Sequence, residues 1–84
     1  MKKFKIKWGL TVYRKDYALG IIIGMIDSRF RVWWVQDAFG DLIVNSSGRL
    51  GNRKWEDAEN LRISEVQLDI DEIKERWKNE PLPD

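Results

Sequence analysis

The chain has 84 residues, 43% of them hydrophobic and 35% charged, with a formal net charge of +1. Its length admits one domain and its composition excludes a weakly hydrophobic, highly charged disordered chain. The absence of Cys and His excludes disulfides, thiolate or imidazole metal sites, Cys nucleophiles and any His-containing triad.

Charge is unevenly spread. Residues 1–36 hold eight Lys or Arg against two Asp, a net +6, whereas residues 37–84 hold seven against twelve, a net −5. Such asymmetry suits a basic surface meeting an acidic partner, or two halves of one compact domain that neutralise each other. The apolar run "LGIIIGMI" is too short to span a bilayer, and "MKKFKIKWG" is followed by no signal-peptide core. A cytoplasmic location is expected, in the host cytoplasm or a virion if the chain is viral, with no membrane partner.

"KIKWGLTVYR" at 5–14 alternates, placing Ile6, Trp8, Leu10 and Val12 on one side, and predicts a first strand with one buried face. "KDYALG" supplies a turn, and "GIIIGMID" at 20–27 is a second strand in which Gly24 marks a bulge or bend. "DSR" then turns the chain into "FRVWWVQ", a third strand joined to the second as a hairpin.

Side chains alternate along a strand, so Phe30, Val32 and Trp34 share one face and Arg31, Trp33 and Val35 the other. The wholly apolar first set faces the core. Trp33, beside Arg31, is the tryptophan expected to point away from it, either into a partner interface or beneath the helix or the long loop.

Residues 37–51, "DAFGDLIVNSSGRLG", form a long connection in which "DLIV" extends a strand and "NSSGRLG" makes a hairpin tip returning through "NRKWED". Connections of this length are commonly functional, which makes this a candidate binding edge. "RKWEDAENLRI" predicts a strand, a helical turn over "DAEN" and a short last strand. Asp69 and Glu72 fit a capping box and Leu68 and Ile73 a hydrophobic staple, so the helix runs over about 70–79 and stops at "NEPLP". Ile70, Ile73 and Trp77 form its apolar stripe.

In order, "WGLTVY", "GIIIGMID", "RVWWVQ" and "KWEDAENLRI" span residues 8–63, and this arrangement resembles the small SH3-like barrels, Tudor-like or KOW-like, of short phage proteins. Gly20, Trp34, Trp55, Asp57 and Leu61 carry the resemblance; the 37–51 segment and the appended helix depart from it. It implies a mainly β fold: a five- to six-stranded SH3-like barrel over about 5–64 with one C-terminal α-helix packed on it, in a single domain covering 1–84. Such barrels serve peptide binding, nucleic-acid association and virion assembly alike, so fold alone does not choose among these. A methyl-lysine cage would need Tyr13, Tyr17, Trp33 and Phe39 to converge.

Three functions follow from these readings. The first is a non-enzymatic protein-binding module or accessory protein, phage-encoded on the strength of the resemblance, acting on a host or viral protein. Its contacts are expected at Trp33, Arg31, Arg29, Phe39 and Arg49, since aromatics and Arg dominate interface hot spots. The alternative is a nucleic-acid-binding module in which Lys3, Lys5, Lys7, Arg14 and Lys15 meet phosphates. A structural virion component is the third. No enzyme activity, cofactor or metal is expected: Asp69 with Asp71 belongs to a helix start, Asp57 with Glu59 to a turn, and Asp37 with Asp41 has no recognisable metal-binding spacing.

Overall fold

The computed structural model describes residues 7–14 and 18–79. The fold is mainly β, with one C-terminal helix. Its five antiparallel strands are β1 (Thr11–Tyr13), β2 (Leu19–Ile26), β3 (Arg29–Gln36), β4 (Asn52–Asp57) and β5 (Arg62–Ile63). They form a single sheet in the spatial order β4-β3-β2-β1-β5, with a 3-10 turn at Ala58–Asn60 and helix α1 at Ile70–Asn79.

The β2–β3 hairpin is the backbone of the sheet. Asp27, in the left-handed region at φ 54, makes its turn, and a register shift between Ile22 and Gly24 is the bulge that Gly24 marks in the sequence. Among the described residues of the alternating stretch 5–14, only Thr11–Tyr13 form a strand. Trp8 and Gly9 form a turn, with Gly9 at φ 86, and the Leu10 amide donates to the Lys7 carbonyl. Alternation therefore fails as a guide at Trp8: the positive-φ glycine redirects the chain and leaves this tryptophan 64% exposed.

Each face of the sheet carries a buried cluster, and this accounts for the adjacent tryptophans of β3. On the first face Val12, Ile22, Val32, Trp34 and Leu61 form one cluster, joined by Leu10, Phe30 and Ile43. Opposite it Ile21, Trp33, Val35 and Ile73 form a second, joined by Ile23, Leu42, Leu50, Leu68 and Ile70. A sheet buried on both sides needs apolar residues at successive positions, which is what "VWWV" provides.

Glycines seat the two rings. A Cβ on Gly20 would stand 2.5 Å from Val32 Cγ1 and 2.7 Å from Trp34 Cε3. At Gly51, where φ is 75, a Cβ would meet the Trp33 indole nitrogen and lie 2.8 Å from the Trp34 carbonyl. The 37–51 segment is a looped extension of the β3–β4 hairpin, pinned by the bridges Gln36 with Leu42 and Val44 with Leu50.

Helix α1 covers the second face. Asp69 Oδ1 accepts from the Asp71 and Glu72 amides at 2.8 and 3.3 Å, so it caps the helix, and Leu68 and Ile73 both pack in the second cluster. The entry segment is tied to β1: Thr11 Oγ1 accepts from the Leu68 amide at 2.7 Å, while Gln67 Oε1 accepts from the Thr11 amide at 2.9 Å. Further along, the Arg76 guanidinium donates to the Gly40 carbonyl at 3.0 Å. These bonds hold the helix between β1 and the loop, over Trp33.

Candidate functional site

Trp33 is buried, with 8% of its surface exposed, and its Nε1 donates to the Leu50 carbonyl at 3.0 Å. It is therefore not a projecting contact residue; of the two places expected for it, the one beneath the helix and the long loop is the one observed. The physical reason is the second cluster: Ile70 and Ile73 of the helix and Leu42 and Leu50 of the loop close over that face. Residue types along β3 define two faces, but cover arriving from elsewhere in the chain determines which parts of each meet solvent.

The other expected contacts separate. Arg29 Nε lies 3.6 Å from Asp57 Oδ1 in a well-exposed ion pair, a geometry that contributes little to stability. Arg31 is exposed, its guanidinium carbon 6.0 Å from the centroid of the Trp55 ring. Phe39 is 90% exposed, in a turn where Asp37 Oδ1 accepts from the Phe39 and Asp41 amides. That turn begins beyond Gln36, roughly 17 Å along the strand from Arg31 at the usual rise per residue. Arg49 is exposed in the 45–49 tip, where its amide donates to Asn45 Oδ1. Arg29 and Arg31 thus share a surface, whereas Phe39 and Arg49 belong to the loop.

Of the basic N-terminal array, only Lys7 and Arg14 fall among the described residues. Lys7 is exposed at the start of the Trp8–Gly9 turn, and Lys3, Lys5 and Lys15 lie outside the described residues. Tyr17 of the suggested cage lies outside them too, and the burial of Trp33 removes that ring from an open aromatic cage. Arg14 is committed: its Nη1 lies 2.9 Å from Glu56 Oε2, which also accepts from Trp34 Nε1 at 3.0 Å. Glu56 is 8% exposed, so this is a buried carboxylate satisfied by two donors. The bond reaches from the end of β1 to β4, strands that two others separate in the sheet, and it draws them together over the first cluster.

A different surface emerges on the second face, where the helix stops covering it. The β3–β4 register sets Trp33 opposite Arg53, Arg31 opposite Trp55 and Arg29 opposite Asp57, and β2 adds Ile26 opposite Arg29. Directly opposed residues share a face, so these side chains form one patch in which indole and guanidinium alternate. Trp55 is 40% exposed, and Ile26, on the far side of β3 from it, is exposed too. Toward the helix, Arg53 sits 5.9 Å from the Trp33 ring centroid, and Trp8, Ile23, Ile70 and Lys74 border the same cleft.

Trp8 and Trp55 are the exposed tryptophans that sequence reasoning overlooks. For Trp55 the only signal is its neighbour: Glu56 turns inward to serve Arg14 and Trp34, which forces Trp55 outward. Among the described residues no group of three or more acidic side chains is placed to hold a metal ion, and no helix is long and apolar enough to cross a membrane. No family model, curated protein or solved structure matches the chain. Its geometry alone carries the functional reading.

Proposed function

We propose that the chain is a non-enzymatic binding module of the SH3-like barrel type whose partner is another protein. The barrel reading draws support from the element order: a hydrophobic second strand with Gly20 at its second position, Trp55 before a 3-10 turn, and a closing strand directly after Leu61. The Arg14–Glu56 bond between β1 and β4 further supports closure of the sheet upon itself.

The observation that carries the functional reading is the exposed patch of Arg31, Trp55, Ile26 and Arg53 on adjacent strands. Trp and Arg are among the residues most enriched at interface hot spots, and here they stand on hydrogen-bonded strands whose backbone is already ordered before binding. A protein partner is favoured over nucleic acid by two features of the same patch. Its exposed aliphatic Ile26 suits apolar packing, and the Trp55 face already engages the Arg31 guanidinium, which reduces the ring surface open to a base.

The test is affinity capture on the immobilised chain after nuclease treatment, comparing the wild type with an Arg31→Ser/Trp55→Ser variant. A protein retained at high salt by the wild type and lost from the variant supports the reading. Equal retention by both, or recovery of nucleic acid only, refutes it.

A further inference from the structure

Where β2 and β4 pass beneath the helix, Trp8, Ile23, Trp33, Arg53, Ile70 and Lys74 line a cleft of about 320 Å³. Ile23, Trp33 and Ile70 pack in the second cluster and supply an apolar floor. The Trp33 Nε1 is bonded to Leu50, so its polar group asks nothing of a ligand. Trp8 makes an exposed indole wall. Among the described residues of the lining, Arg53 and Lys74, both exposed, carry the charges, and none is a carboxylate.

We infer that this cleft receives one large apolar side chain from a partner segment that carries Asp or Glu at adjoining positions. The inference rests on the protein-binding reading above and adds the chemistry of the partner. An apolar pocket with a few polar groups at its rim is the usual form of a side-chain receptor, and here both rim charges are positive. With Arg53 above the Trp33 ring, the guanidinium edge stays available for a carboxylate, the planar geometry for which Arg is suited. On α1, Lys78 follows Lys74 by one helical turn and extends the positive wall along the same flank. Charge also argues against the chain's own first residues as the occupant, because Lys2, Lys3 and Lys5 would bring like charge to Arg53 and Lys74.

The inference is tested by titrating the ¹⁵N-labelled full chain with a short synthetic peptide bearing a central Phe among Asp and Glu residues. Companion titrations use the same peptide with Ala at its centre, the same peptide with Lys flanks, and oligo(dT). The expected result is a saturable shift of the Trp8 indole signal with the acidic Phe peptide, and a weaker response to both altered peptides. Trp8→Ala and Arg53→Glu, each first shown to unfold at the wild-type urea midpoint, should weaken that binding by about tenfold or more.

The inference is overturned by the absence of a saturable shift, by equal binding of the Ala-centred peptide, or by tighter binding of oligo(dT). Binding that appears only after removal of residues 80–84 would also overturn it, in favour of an internal occupant. A response at Trp55 without one at Trp8 would sink the cleft while leaving the contact patch in place.

Discussion

Trp33→Ala tests the two-sided burial of the sheet. The residue is 8% exposed and packs with Ile21, Val35 and Ile73, so truncation empties part of the second cluster and should cost about 3–5 kcal/mol. Loss of the bond to the Leu50 carbonyl adds up to about 1 kcal/mol. Trp34→Ala, which opens the first cluster, should cost a similar amount, because that ring is 5% exposed. Domains of this size shift in midpoint by about 4–8 °C per kcal/mol, so either change should lower Tm by roughly 12–40 °C. Total stabilities of about 5–15 kcal/mol leave little margin, and Trp33→Phe, with an expected loss of about 1–2 kcal/mol, keeps the experiment within range. Urea unfolding followed by circular dichroism reads all three. A loss below about 1 kcal/mol for Trp33→Ala, with the full loss for Trp34→Ala, would show that the second face is open and would refute docking of the helix there.

Gly20→Ala should destabilise by about 1–3 kcal/mol in the same assay, because the new methyl group would press on Val32 and Trp34, and a neutral outcome would contradict the packing described for that ring. Glu56→Ala removes the acceptor shared by Arg14 and buried Trp34 and should cost about 1–3 kcal/mol, more than Glu56→Gln, which can still accept from the indole. Equal losses for the two Glu56 variants would remove the indole bond from the account.

Much of the fold is legible in the sequence because it is encoded locally. The β2–β3 hairpin follows from its apolar runs and turn, the bulge from Gly24, and the helix start from Asp69 with the Leu68–Ile73 staple. The burial of Trp33 is not local information. Alternation assigns it to the face opposite Trp34, but whether that face meets water depends on a helix some forty residues away in the chain. Two signals for its cover were nevertheless present: Val35 shares its face, and the Ile70, Ile73 and Trp77 stripe needs an apolar surface to meet.

The exposed Arg–Trp patch is half legible in the sequence. Arg29 and Arg31 lie on it, while Phe39 and Arg49, chosen for their residue types, belong to the loop. Trp55 was hidden because polarity alone turns a tryptophan inward and a glutamate outward, and the Arg14–Glu56–Trp34 arrangement reverses that order. Trp8 was hidden because Gly9 ends the alternating pattern in which it is embedded.

The central claim is that binding occurs on the exposed β2–β4 face, and hydroxyl-radical footprinting of the chain, free and with its captured partner, tests it most directly. The account predicts that Trp55 and Trp8 lose reactivity on binding while Phe39, 90% exposed on the distant turn, keeps it. Protection of Phe39 with no change at Trp55 would contradict the account and move the contact surface to the 37–51 loop.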